Sequence, residues 1–155
     1  MADADVVDEA AGLEPGSPVW RLRRERPEIL AATQGSHDAL LLPPGPSAFT
    51  RAERALVARR VAELSGDDAL AAHYGSLIGA EPPADSPRLR AMLRHAEMLA
   101  TGPSQATRAD LEKLQAAGLA TAEIVTLSQL VALVSHQVRV VAGLRMMAAL
   151  MEGPA

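Results

Sequence analysis

Residues 50–79, with the sequence TRAERALVARRVAELSGDDALAAHYGSLIG, predict two helices joined by a short turn. Thr50 and Glu53 have the spacing of a capping box, in which hydroxyl and carboxylate each accept a hydrogen bond from a backbone N–H. Apolar residues then recur at helical spacing up to Gly66, a residue type that favours the left-handed conformation in which helices often end. The stretch therefore predicts a helical hairpin.

The second helix of this hairpin is predicted to begin beside Asp67 or Asp68, either of which can serve as its N-cap. His73 and Tyr74 then lie on the first two turns of that helix. The positive end of a helix dipole favours anions, and it lowers the pKa of a thiol where one is present. This end of the helix is therefore the first candidate for a chemical site.

The hairpin resembles the central motif of the carboxymuconolactone decarboxylase and alkylhydroperoxidase D superfamily. There, a helix carrying a glutamate leads through a turn to C-x-x-C and then to a histidine, and the segments FTRAERALVARRVAELSG and ALAAH match this frame. Aligned on the first helix, the cysteine positions fall on Asp67 and Leu70 and the histidine position on Tyr74. Aligned on the histidine, the motif keeps His73. In both alignments the cysteines are absent, because the chain contains none.

The resemblance implies an all-α, alkylhydroperoxidase D-like helical bundle, but not the thiol chemistry of the superfamily. In its thiol peroxidases one cysteine attacks the peroxide and a second resolves the sulfenic acid, while the glutamate and histidine relay protons. Carboxylate, alanine and leucine side chains form no sulfenic acid, and oxidised methionine needs a separate reductase. Thiol peroxidase activity is therefore not expected of this chain.

The composition agrees with helices packed by aliphatic side chains. Hydrophobic residues make up 48% of the 155 residues and aromatic residues only 2%, so Leu, Val, Ala and Met must form the core. The net charge of −4, with both signs intermixed, gives no basic stripe for nucleic acid. No secretory segment and no apolar run of about 20 residues is evident, so we expect no membrane span and a cytoplasmic location. No metal or other cofactor is expected.

The pattern predicts a single helical domain preceded by an arm. Residues 1–17 are acidic and end in Pro-Gly-Ser, which favours a mobile acidic N-terminal arm. Residues 18–155 are then one all-helical domain of about six to eight helices. Its first helix should break near Arg26, with a new helix beginning at Pro27.

The last helix, about residues 122–151, is the most apolar segment of the chain. Its apolar stripe is too broad for a helix that faces one neighbour, so we expect burial both within the domain and against another subunit. Members of the superfamily are commonly homo-oligomers, which agrees with this expectation. The predicted partners are copies of this chain, bound through the C-terminal helix, or a cysteine-containing relative.

Polar residues interrupt this helix, and His136 and Arg139 share a face because they are three residues apart. Packing of that face on the His73 helix would create a small polar pocket, in which Arg139 holds a substrate carboxylate. Tyr74, His136 and Arg139 are thus the candidate substrate-binding residues. The alternative is that His136 hydrogen-bonds a backbone carbonyl and Arg139 pairs with a carboxylate such as Glu63.

Two kinds of function fit these residues. The first is a divergent, non-catalytic member of the superfamily that serves oligomer assembly or binds a small molecule. The second is a cysteine-free acid/base enzyme, similar to a decarboxylase, that acts on a small carboxylic acid or lactone.

The candidate catalytic residues of the second function are His73, Asp67 and Glu53. His73 would donate the proton, and Asp67 or Asp68 would orient its ring. Glu53 or Glu63 would replace the superfamily's helix glutamate, which this chain lacks at the matching position.

Overall fold

The computed structural model describes residues 5–45 and 47–152, which form eight α-helices with no strand among them. The helices are α1 (Val6–Ala11), α2 (Pro18–Arg23), α3 (Pro27–Leu41), α4 (Arg51–Leu64), α5 (Asp68–Ile78), α6 (Pro87–Thr101), α7 (Arg108–Ala116) and α8 (Thr121–Glu152), with a 3₁₀ turn at Pro103–Gln105. The predicted all-α fold class is confirmed, and so is the long C-terminal helix.

The α4–α5 hairpin forms as its local chemistry predicts. Thr50 Oγ1 accepts a hydrogen bond from the N–H of Glu53 at 3.1 Å, and Glu53 Oε2 accepts one from the N–H of Thr50 at 2.8 Å. Gly66 has a φ of 73°, the left-handed conformation that ends the helix. Asp67 then caps α5 by accepting from the N–H of Leu70 at 2.9 Å.

The predicted break near Arg26 is also present, since α2 ends at Arg23 and α3 begins at Pro27. Helix α3 then continues to Leu41. His37 therefore lies on a helix and is buried against the core.

Residues 5–17 differ from the mobile arm that the sequence predicted over 1–17; residues 1–4 lie outside the described part. Residues 6–11 form α1, which packs on α5 and α8. Val6 and Val7 are only 3% and 0% exposed. The arm thus supplies part of the hydrophobic core.

The physical reason is charge pairing between acidic residues of this segment and two arginines at the end of α2, Arg23 and Arg24. Asp5 caps α1 and lies 3.0 Å from Nη1 of Arg23, which also pairs with Asp8. Asp8 lies 2.8 Å from Nη2 of Arg24. All of these side chains are buried or nearly so, and burial makes an ion pair depend on its partners far more than at the surface.

The connector between α3 and α4 is held by one buried arginine, Arg54, which is 5% exposed. Its Nη1 donates to the carbonyl of Leu40 at 2.6 Å, its Nε donates to the carbonyl of Phe49 at 3.3 Å, and Nη2 donates to the hydroxyl of Ser47. A single guanidinium therefore satisfies backbone groups on both sides of the proline-rich connector.

Helix α8 packs against α1, α2, α3, α4, α6 and α7. By length and a mean hydropathy of 1.4 it is apolar enough to cross a membrane, but core helices share this property. Its buried stripe comprises Ile124, Leu127, Leu130, Val131, Leu133, Val134, Val141 and Leu144. Its last turns instead expose Met146, Leu150 and Met151, at 62%, 75% and 56%.

Candidate functional site

His73 on α5 contacts a second histidine, His37 on α3, and we call these two residues the histidine pair. Their Nε2 atoms are 3.4 Å apart and their ring centroids 5.5 Å apart. Nδ1 of His37 lies 3.0 Å from Oδ1 of Asp38, and Gln34 Nε2 donates to the same oxygen at 2.9 Å. His37 is buried, His73 is half-buried and Asp38 is exposed. The carboxylate of Asp38 and the two imidazoles thus form a continuous row of hydrogen-bonding groups.

The carboxylate of Asp38 determines which tautomer His37 adopts. Because ionised Asp38 only accepts hydrogen bonds, it favours the form of His37 with hydrogen on Nδ1. Nε2 of His37 is then an acceptor, to which the Nε2–H of His73 donates. This arrangement leaves Nδ1 of His73 as the atom of the histidine pair that is free to accept a proton.

Burial lowers the pKa of His73 below its usual value, and the neighbouring His37 lowers it further. Glu9 on α1 partly opposes these effects. The imidazole of His73 is therefore neutral near pH 7, which is the form that accepts a proton.

Tyr74 packs beside both rings of the pair. Its ring meets that of His73 edge-on with centroids 5.2 Å apart and stacks on His37 at 6.2 Å. Its hydroxyl donates to Oε1 of Gln137 on α8, and both side chains are fully buried. Burial raises the pKa of Tyr74, so the hydroxyl remains protonated. Tyr74 therefore anchors the histidine pair to α8.

The Tyr74–Gln137 contact predicts a specific pattern of stabilities. Nε2 of Gln137 finds no hydrogen-bond partner among the described residues, so Tyr74→Phe would leave the whole amide unsatisfied. An unsatisfied buried group costs about 1–3 kcal/mol. We expect that loss in Tyr74→Phe, a smaller loss in Gln137→Leu, and a double variant close to wild type, measured by urea unfolding. Additive losses in the double variant would contradict this coupling.

Asp67, predicted to orient His73, is engaged elsewhere. It is 3% exposed, caps α5, and lies 2.9 Å from Nη1 of Arg145 on α8. No hydrogen bond joins it to His73 within the described ranges. An N-cap side chain folds back onto the first N–H groups of its own helix, so it is directed away from the second turn. The orienting contact comes instead from His37.

Glu53, the other predicted catalytic carboxylate, is held in the capping box of α4. It also lies 3.3 Å from Nη1 of Arg88 on α6. Both contacts stabilise helix ends and helix packing, and neither involves the histidine pair.

His136 and Arg139 are both exposed on α8. Arg139 donates to the carbonyl of Ser135 in its own helix at 3.0 Å, while His136 lines a shallow surface pocket against α3. Successive helix positions are rotated by about 100°, so the residue that faces α5 is Gln137. The predicted pocket joining His136 and Arg139 to His73 is therefore not formed within this chain.

Sequence reasoning gave no role to His37 or Gln137, although periodicity contains a signal for both. His37 lies four residues before the buried Leu41, on the same face of α3. Gln137 lies three residues after Val134 and four before Val141, inside the buried stripe of α8. A polar residue within an apolar stripe is buried and needs a partner.

Acid should destabilise the protein through two histidines whose pKa values burial lowers, His73 and the α6 residue His95. Below their ordinary pKa of about 6.5, the unfolded chain binds protons that the folded chain does not. The free energy of unfolding therefore decreases as the pH is lowered. We expect the midpoint of urea unfolding to decrease when the pH is lowered from about 7.5 to about 5.5. The decrease should be smaller in His73→Gln and in His95→Gln. The exposed control His136→Gln should keep the wild-type slope; an unchanged slope in all three variants would contradict the prediction.

The eight helices and their packing define an all-helical protein with an alkylhydroperoxidase D-like fold. Neither a protein-family model nor a curated protein sequence matches the chain. Among solved structures, the chain is similar to an uncharacterized peroxidase-related protein from Silicibacter sp. TM1040, with a TM-score of 0.59, 21% identity, and coverage of 75% of this chain and 68% of that chain.

It is also similar to the alkylhydroperoxidase AhpD core of an uncharacterized peroxidase-related protein from Ralstonia eutropha JMP134. The TM-score is 0.55 and the identity 24%, with 86% of this chain and 76% of that chain covered. These likenesses confirm the fold that the hairpin motif implied.

Proposed function

We propose that this protein transfers protons to and from a small molecule at the histidine pair, as a cysteine-free acid/base enzyme on an alkylhydroperoxidase D-like scaffold. The observation that supports this proposal is the chain from Asp38 through His37 to His73, with contacts of 3.0 and 3.4 Å. A neutral, half-buried imidazole backed by a second imidazole is suited to general base catalysis.

The proton path follows from the tautomers. Nδ1 of His73 accepts a proton from the substrate, and the proton on its Nε2 moves to Nε2 of His37. The carboxylate of Asp38 stabilises the resulting imidazolium, and the reverse sequence makes His73 an acid. No thiol takes part, so the proposed chemistry is proton transfer rather than thiol redox chemistry. Small carboxylic acids and lactones are the substrate class that the sequence resemblance implies.

A non-catalytic role in assembly is the second candidate. The last turns of α8 expose three apolar side chains, Met146, Leu150 and Met151. Burying each of them would contribute roughly 1.5–3 kcal/mol before the cost of association. A further copy of this chain, or a cysteine-containing relative, is the partner that would cover them.

The test is an assay of the pure protein with carboxymuconolactone and a panel of related lactone acids, beside an organic hydroperoxide with a dithiol reductant. We expect turnover of a lactone or carboxylic acid that is lost in His73→Gln, and no peroxide reduction. If the wild-type protein turns over nothing in the panel, and the variant is folded with the same oligomeric size, the acid/base proposal fails and assembly becomes the better account.

A further inference from the structure

The carboxylate that orients the histidine pair is itself held by a neighbouring glutamine. The side chain of Asp38 is 55% exposed, and holding an exposed carboxylate in one rotamer costs side-chain entropy. Gln34 lies one turn earlier on α3, and its Nε2 donates to Oδ1 of Asp38 at 2.9 Å. The same oxygen lies 3.0 Å from Nδ1 of His37. Gln34 therefore keeps Asp38 in the rotamer that contacts His37.

The other end of the Gln34 amide reaches the start of α1. Its Oε1 accepts a hydrogen bond from the backbone N–H of Val6 at 3.3 Å. Val6 is the first residue of α1, and the first N–H groups of a helix have no partner within it. Asp5 accepts from the next two, those of Val7 and Asp8, at 2.9 and 3.0 Å. Gln34 thus completes the cap of α1 from another helix.

The two contacts also fix the direction in which the amide of Gln34 points. A backbone N–H only donates and an ionised carboxylate only accepts, so the amide oxygen faces Val6 and the amide nitrogen faces Asp38. Nε2 also lies 3.5 Å from Nδ1 of His37, beyond the usual hydrogen-bond range of about 2.7–3.2 Å, so Asp38 is its acceptor. A flipped amide would lose both hydrogen bonds.

We propose that Gln34 is the positioning residue of the histidine pair and makes the tautomer of His37 depend on the docking of α1. The inference rests on the proton transfer proposed above, because Gln34 acts through Asp38 and His37 rather than on the substrate. With α1 docked, the N–H of Val6 holds the amide, the amide holds Asp38, and His37 carries its hydrogen on Nδ1. With that N–H removed, Asp38 turns into solvent and His37 exchanges between its two tautomers. The acceptor that His73 needs on Nε2 of His37 is then only partly populated.

The test is NMR of the full chain labelled with nitrogen-15 in histidine, recorded without substrate above the ordinary histidine pKa. Long-range proton–nitrogen correlation spectra show which ring nitrogen carries hydrogen, and the four histidines of the chain can be assigned from single variants. We expect His37 of the wild type to be held with hydrogen on Nδ1. Gln34→Met keeps the length of the side chain but neither hydrogen bond, so its His37 should be a mixture of tautomers.

The exposed Gln115→Met on α7 is the matched control and should leave the spectrum of His37 unchanged. Hydrogen on Nε2 of His37 in the wild type, or an unaltered His37 in Gln34→Met, would overturn the proposal.

A proline tests the link to α1. Val6→Pro removes the N–H that donates to Gln34, at the first helical position, where proline is favoured. Asp5 before it has φ −84° and ψ 125°, a conformation that a following proline permits. Val6→Ala is the matched control, because it shortens the same buried side chain and keeps the N–H. We expect mixed tautomers of His37 in Val6→Pro and the wild-type tautomer in Val6→Ala. Identical His37 spectra from the two variants would refute the dependence on α1.

Turnover separates this inference from the function on which it rests. On a substrate of the panel, Gln34→Met should lower kcat severalfold with little change in KM, and Gln115→Met should not. A chain that turns over nothing but shows the expected tautomers would refute the acid/base function and leave the positioning by Gln34 intact. An active chain whose Gln34→Met variant keeps full kcat would refute the positioning role alone.

Discussion

Replacing His73 by Gln is expected to lower turnover by about 10²–10⁴-fold, the range that a general acid or base contributes. Glutamine preserves a hydrogen bond to His37 but does not accept or release a proton near neutral pH, so the loss should appear in kcat more than in KM. Steady-state kinetics on the lactone or acid identified in the panel would measure it. The exposed His136→Gln serves as the matched control and should retain full activity.

His37 should act as a positioning residue, through His73 rather than on the substrate. His37→Gln is therefore expected to reduce kcat less than His73→Gln does. Because His37 lowers the pKa of His73, its removal should also move the acidic limb of the kcat/KM profile to higher pH. Wild-type kinetics in His73→Gln, or an unchanged pH profile of kcat/KM in His37→Gln, would contradict the proton-relay account.

Replacing Arg54 by Leu is expected to lower the free energy of unfolding by about 2–4 kcal/mol. This substitution removes three hydrogen bonds of a charged donor from the α3–α4 connector, and burial of the leucine side chain offsets part of that loss. The carbonyls of Leu40 and Phe49 then lose their partner. A loss of this size is a large fraction of the usual stability of a domain.

Urea unfolding of two further variants separates the explanations for that loss. Arg54→Lys keeps the charge but not the planar fork of donors, so it should recover only a small part of the stability. Arg51→Leu, at an exposed position of the same helix, should change stability by no more than about 0.5 kcal/mol. An Arg54→Leu variant within that same margin would show that the connector does not depend on the guanidinium.

The parts of the fold set by neighbouring residues were predictable from the sequence. The capping box at Thr50 and the left-handed Gly66 act over a few residues, so both ends of α4 were assigned correctly. The break before Pro27 follows in the same way from the restrictions of the proline ring.

The parts that depend on distant residues were not predictable. In the sequence, Asp5 and Asp8 indicate only a charged arm. Their pairing with Arg23 becomes evident only in the folded structure. Likewise, His37 reaches His73 only because α3 packs on α4 and α8, and a single sequence contains no measure of that packing. From the sequence, therefore, only His73 of the histidine pair was identified as a site residue, and His37 was missed.

The likeness to peroxidase-related structures shows that this fold forms without a redox cysteine pair. One alignment of the motif places a cysteine position on Asp67. In the structure that carboxylate is buried, caps α5 and is neutralised by Arg145. The start of α5 thus carries a structural ion pair, and the proposed chemistry lies one to two turns further along the same helix, at His73.

Arg145 also has a consequence for the order in which the chain becomes structured during synthesis. Its Nη2 donates to the carbonyl of Ala10 in α1 at 2.7 Å, while Nη1 holds Asp67. The residues of the α4–α5 hairpin precede Arg145 in the chain, so α1 gains this partner only after nearly the whole described chain has been translated. Until then, α1 has only its contacts with earlier elements such as α2, α3 and α5, so its docking should be completed last.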